Sequence, residues 1–220
     1  MALPAATLAF LEDLAQNNTK EWFKANQKRY ESELKKPGRA WIEEINETLA
    51  TVAPDWVTPA GKAINRINRD IRFSKDRTPY NTHLWAGFQH QGSAKGTAPA
   101  YYVGLSPTGF GVGCGSWAPP KPQVDNLRGH IAANHEELTE LLATLENNGF
   151  NPLEGDAYKR VPKPWAADHP AGAYLKHKGF HTRIEFDREL ALSDEGLPEI
   201  AKRFAQMKPL VDFLYAGLSS

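Results

Sequence analysis

A β-hairpin is the firmest constraint on the fold. Ala100-Tyr101-Tyr102-Val103-Gly104-Leu105 and the run from Phe110 to Trp117 flank Ser106-Pro107-Thr108-Gly109. Proline presets the backbone of a turn and glycine is the most permissive residue at its end, so these four residues read as a tight connection between antiparallel strands. Leu84 to Phe88 reads as the strand before this pair. Ala63 to Ile67 alternates loosely, as a still earlier strand would, and Phe180 to Phe186 alternates as a late one. Gly109, Gly111, Gly113 and Gly115 alternate along one strand instead of opening a helix. Glycine so placed lets a helix or a ligand approach the sheet closely.

Helical patterns lie on both sides. Thr7 is placed to cap a helix with Leu8, Leu11 and Leu14 on its apolar face, and Asn17 or Asn18 ends it. Thr19 caps a second helix from Lys20 to about Leu34. Pro37 and Gly38 punctuate it, and Trp41, Ile45, Leu49 and Val52 recur at helical spacing in a third. Gln123–Ala132 and Glu136–Leu145 form two more helices, followed by the Pro-rich connector KRVPKPWAADHP. A helical turn at Ala171–Lys176 comes next, and Ser193 caps a final helical region. The expected fold class is α+β: one domain over 1–220, with a central antiparallel sheet of about five strands. Helices of 7–53 and the C-terminal part pack around it. The sheet spans 62–117, helices span 123–146, a late strand 180–187 and the last helices 193–217.

Composition narrows the functional classes. A chain of 220 residues with formal net charge zero carries no global field for polyanions, which counts against non-specific nucleic-acid coating. The single cysteine, Cys114, cannot form an internal disulfide, so a reducing, cytoplasmic location is expected and Cys114 reads as a small buried filler. The start, MALPAATLAFLEDLAQ, lacks the basic region of a signal peptide, and no apolar run reaches the 18 or so residues of a membrane span. Seven histidines show no HExxH spacing and no metal is expected. Phosphate-loop and GxSxG motifs do not occur, and the sequence leaves any cofactor unknown.

The densest chemistry lies between Asn65 and His83. Arg66, Arg69, Arg72, Lys75 and Arg77 crowd together with Asp70 and Asp76 between them, and Ser74, Thr78, Tyr80 and His83 add polar groups. A spacing of three cannot put these cations on one face of a strand, whereas a turn-rich loop can fold them onto one point. Arginine offers a planar fork for phosphate or carboxylate and lysine a point charge. The candidate ligand-binding residues are therefore Arg66, Arg69, Arg72, Ser74, Lys75, Asp76 and Arg77, joined by Lys163 of the connector. Tyr80 and His83 are the candidate proton carriers. Two other readings stay open. The acids could neutralise the cations in a structural ion-pair knot. The cations could instead contact nucleic-acid phosphates while Tyr101, Tyr102 or Trp85 stacks on bases. Lys159, Arg160, Lys176 and Lys178 form a second basic group that is either solvated surface or the wall of a pocket closed by the connector, with Trp165 or Trp117 as its aromatic side.

The string RDIRFSKDRTPYNTH resembles the signature of an uncharacterised bacterial and fungal family, domain-of-unknown-function family 2461. FLEDLAQNNTKEWFKANQKRY, PAYYVGL, KRVPKPW and DHPAGAYLKHKGF agree with it, so the likeness runs from about Leu8 to about Leu214. Asn68 stands where an aromatic is expected and Asn81 where a lysine is expected, which removes one cation. The resemblance implies a single α+β domain and brings no established activity.

Overall fold

The computed structural model describes residues 2–72, 74–94 and 96–219. Four strands form the sheet: β1 (Leu84–Gln89), β2 (Ala100–Ser106), β3 (Gly109–Ser116) and β4 (Phe180–Phe186). They lie in the order β1-β2-β3-β4, and each pair is antiparallel. The β2–β3 turn is the one expected, with Ser106 opposite Gly109. The α+β class holds with four strands. The Ala63–Ile67 stretch, expected as a fifth, makes only a single bridge from Ile64 to Ala86. Ala63 still belongs to a short helix, and beyond Asn65 the chain leaves the sheet edge to enter the charged loop.

The N-terminal part is helical: α1 (Ala5–Gln16), α2 (Lys20–Ala25), α3 (Gln27–Arg29), a π-helical stretch Tyr30–Lys35, α4 (Lys36–Val52) and α5 (Ala60–Ala63). After the hairpin come α6 (Lys121–Ala133), α7 (His135–Asn147), α8 (Gly172–Leu175) and α9 (Gly196–Leu218). Thr19 caps α2 as expected, its hydroxyl accepting from the Trp22 N–H at 3.2 Å.

Three boundary expectations need correction. Pro37 and Gly38 do not interrupt the second helix, because the chain stays helical from Gln27 to Val52. Proline gives no N–H to the carbonyl four residues back and crowds it. The wider π turn just before Pro37 relaxes that crowding. Thr7 does not cap α1, whose cap position is Pro4; its buried hydroxyl instead donates to Glu33 O, 2.6 Å away, the carbonyl that Pro37 leaves without a donor. Ser193 turns back to Leu190 O, so α9 begins only at Gly196.

Alternation along the strands gives the sheet two unlike faces. The inner face carries Leu84, Ala86, Phe88, Tyr101, Val103, Leu105, Phe110, Val112, Cys114, Phe180 and Ile184, all in the core. Helices cover it. The Phe204 ring of α9 lies 5.8 Å from that of Phe88 and 4.9 Å from that of Tyr101, and Trp41 of α4 meets Phe110 at 6.1 Å. Burying each of these rings removes enough apolar surface to stabilise by about 2–3 kcal/mol. Cys114 is a buried free thiol in this layer, as expected. The sheet edges are also occupied: Asn65 N–H bonds Trp85 O on β1, and Asn151 N–H bonds Arg183 O on β4. Such pairing blunts edges that would otherwise invite another chain.

Candidate functional site

The outer face of the sheet is the part the helices leave uncovered. Cross-strand register builds it in rows: Trp85, Gly104, Gly111 and Glu185 in one, and Gly87, Tyr102, Gly113 and Arg183 in the next. The glycines of β3 leave a bare floor between two walls. One wall is aromatic: Trp85 lies so close on Gly104 that a Cβ there would overlap its ring. Trp117 stands perpendicular to Tyr102 and Trp85, at 4.7 and 6.2 Å between ring centroids. The other wall is charged, with Arg183 and Glu185 in an ion pair at 3.3 Å. The groove between them has a volume of about 280 Å³, and His83 stands at its rim.

Each wall is fixed from behind. The Tyr102 hydroxyl donates to Gly115 O at 2.9 Å, and burial pushes its pKa up, so it stays protonated. Trp117, 42% exposed, stacks on the nearly buried His181 at 4.0 Å with the rings almost parallel. Burial lowers the His181 pKa, with Glu154 opposing and Arg183 adding to the effect. The Nε of Arg183 is buried without a hydrogen-bond partner, as is Nδ1 of His181. Such groups are costly unless something pairs with them.

The loop that dominates the sequence lies beside this groove and is tied at its neck. Asn68 bridges Tyr80, Arg69 N–H bonds Pro79 O, Asn81 N–H bonds Ile67 O, and the Asn81 amide donates to Arg66 O. Asn18 clamps Tyr80 from α1's end, accepting from its N–H at 3.0 Å and donating to its carbonyl at 2.9 Å, and the Tyr80 ring stacks on Phe23 at 4.1 Å. Inside the loop, the acids meet two of the cations. Arg69 binds Asp76 at 2.5 Å and reaches Thr78 as well. Asp76 accepts from the Thr78 N–H and hydroxyl, and these bonds with Arg69 hold its carboxyl down at about 2. Arg72 forks onto Asp70 at 2.7 and 3.0 Å, which lowers the Asp70 pKa, and Arg77 donates to Ile71 O. Ser74 closes a turn on Ile71 O, while Lys75 and Arg66 are exposed. Lys163 is exposed on the connector.

His83 joins the two regions. It borders the aromatic groove and also an open polar shelf edged by Lys62, Arg66 and Arg69. Burial chiefly, and then the Arg69 charge, lowers its pKa, so the imidazole is neutral near pH 7 and can accept a hydrogen bond or a proton. Of the three aromatics proposed from sequence to stack on bases, Tyr101 is excluded because it is fully buried on the inner face, whereas Tyr102 and Trp85 face the groove. Trp117 lines the groove as an aromatic wall, and Trp165 packs against the core. Sequence reasoning does not single out Arg183 and Glu185. Their signal is the alternation of β4, where Thr182 and Ile184 point inward and the charged pair outward.

A family model described as a conserved hypothetical protein, DUF2461, matches residues 6–213. The chain belongs to that family. No curated protein matches it. The match takes in the helical N-terminal part, the charged loop, all four strands and most of α9, so the groove and its neighbouring loop both lie within the family's extent. Among the described residues no helix is long and apolar enough to cross a membrane, and no group of three or more His, Cys, Asp or Glu is placed to hold a metal.

Proposed function

We propose that this protein binds a phosphate- or carboxylate-bearing small molecule on the outer face of its sheet. The observation that carries the reading is the position of His83, on the border of both the aromatic groove and the cationic shelf. A planar ring over the Gly111 floor would stack on Trp85 or Trp117 and present its polar edge to Arg183 and Glu185. Its anionic group would point past His83 toward Lys62, Arg66 and Arg69. In this reading Arg69 is held ready by Asp76 and Thr78, and Tyr80 keeps the loop neck in place through Asn18 and Phe23. His83 then acts as acceptor for a ligand hydroxyl or a transferred proton. Arg72, Ser74 and Arg77 serve the loop's own shape, and the exposed Lys75 and Lys163 take no part in holding the ligand.

The test is a thermal-shift and tryptophan-fluorescence screen against sugar phosphates, nucleotides and aromatic carboxylates. It is run on the natural chain beside Gly111→Val and His83→Gln. A Cβ at Gly111 meets its nearest atom at 3.8 Å, so valine fills the floor without breaking the strand. A true ligand stabilises the natural chain and loses at least tenfold in affinity on Gly111→Val. A ligand bound equally by all three proteins sinks the reading.

A further inference from the structure

A second hollow lies behind the shelf, where the π turn meets the segment leading into the charged loop. It is a cleft of about 210 Å³. Its back is apolar, formed by Leu34, Ile64, Ile67 and Leu84, and its rim carries Lys35, Arg39 and Arg66. These cations come from two separate stretches of chain, so their convergence is a product of the fold and not of a charge run. Tyr30 also lines the cleft, and Lys35 Nζ sits 5.8 Å from its ring centroid.

Carboxylates neutralise this rim only in part. Glu31 binds Lys35 at 2.7 Å, and Arg66 is near enough to Asp70 to lower its pKa. Among the described residues, neither Arg39 nor Arg66 is in an ion pair. The π turn itself contributes: its extra residue per turn shifts Lys35 and Arg39 relative to an unbroken α-helix, and such turns recur at functional sites. Gly61 borders the cleft, and a Cβ there would meet nothing within 4 Å. The space it leaves is real.

We propose that this cleft is a binding site for a small amphipathic anion, with its carboxylate or phosphate head on Arg39, Arg66 and Lys35 and a short apolar body against Ile64 and Leu84. An apolar pocket with a few convergent charges suits such a molecule better than a bare inorganic ion, which would leave the back wall wet. The site stands apart from the sheet groove and shares with its shelf only the stretch Ile64–Arg66.

Calorimetric titration with octanoate, octyl phosphate and inorganic phosphate tests it. The variants are Arg39→Gln and Gly61→Phe, with Gly111→Val as control for the groove. Octanoate or octyl phosphate should bind the natural chain and Gly111→Val alike, and at least tenfold more weakly to Arg39→Gln and Gly61→Phe. Inorganic phosphate should bind at least tenfold more weakly than octyl phosphate. The preferred head group shows in the ratio of the two octyl compounds. Gly61→Phe must retain the natural melting temperature within a few degrees; if it does not, Arg39→Gln alone decides, since its exposed side chain is no part of the core. The proposal is overturned if neither octyl compound binds, if both variants bind as the natural chain does, or if only Gly111→Val loses binding.

Discussion

The Thr7 hydroxyl donates to the Glu33 carbonyl at 2.6 Å, across 26 residues and between two helices. Glu33 lies four residues before Pro37, so its carbonyl is the one a proline leaves without a backbone donor. A single hydroxyl on α1 thus supports a proline inside the longest N-terminal helical run and ties the two together. The same run carries the π turn and two of the three cations of the cleft, Lys35 and Arg39.

Removing that hydroxyl should be costly. Thr7 is fully buried, so Thr7→Val keeps the shape and leaves Glu33 O without this donor. The expected loss is about 1–3 kcal/mol of unfolding free energy, read by urea titration. Pro37→Ala, which restores an N–H, should reduce the loss in the double variant; additive effects in the cycle would show that the two sites are not linked.

Cys114 should be chemically silent in the native state. It is fully buried and desolvation pushes its thiol up, far from the range where a thiolate forms near neutrality. A disulfide-exchange reagent should therefore label it only as fast as the chain unfolds, with the rate rising as denaturant is added. Rapid stoichiometric labelling of the folded protein would contradict this burial.

Much of this layout is written in residue periodicity, and the site is not. The Ser106–Gly109 turn, the two strands that flank it and the cap at Thr19 are local, and local rules find them, whereas the inward face of Tyr101 shows only once the strands pair and helices cover one side. Pro37 shows where local rules fail, because its compensation comes from Thr7 on another helix. Charge density points to the loop of Arg69 and Arg72, but which cation meets which carboxylate is set by the neck at Asn68 and Tyr80. The groove is composite. The glycines of β3 hint at close approach, yet only cross-strand register brings Trp85, Tyr102, Arg183 and Glu185 to their rims. The cleft needs the convergence of Arg39 and Arg66, 27 positions apart, which no motif records.

Acid should destabilise the fold in a window set by three histidines that are partly or wholly buried. His83, His177 and His181 all have lowered pKa values, chiefly through burial, so they are neutral in the folded chain. On unfolding they return to about 6.5, and below that pH the unfolded chain binds more protons than the folded one. Stability therefore rises with pH through this range and falls as pH drops below about 6.5. The melting temperature should be level from pH 8 to 7 and decline towards pH 5, with a shallower decline in His83→Gln. A flat profile from 7 to 5 would refute it. The carboxylates Asp70 and Asp76, both held low, act at lower pH, their contribution being lost as pH falls through the ordinary carboxylate range and, for Asp76, down to about 2.

Two glycines on the same strand should respond very differently to the same change. A Cβ at Gly113 would come within 2.6 Å of Thr182 O and 2.9 Å of the Arg183 Cβ, both fixed by the β3–β4 pairing. Backbone cannot yield cheaply there, so Gly113→Ala should lose about 1–3 kcal/mol by overpacking. At Gly111 the nearest atom is Ile184 O at 3.8 Å, ordinary contact, and alanine restricts the unfolded chain. Gly111→Ala should therefore change stability by no more than about 0.5 kcal/mol or raise it slightly. Urea titration of the two variants reads the difference directly. Equal losses at both positions would mean that the floor of the groove is not open at Gly111, and the ring-stacking site on the sheet would lose its room.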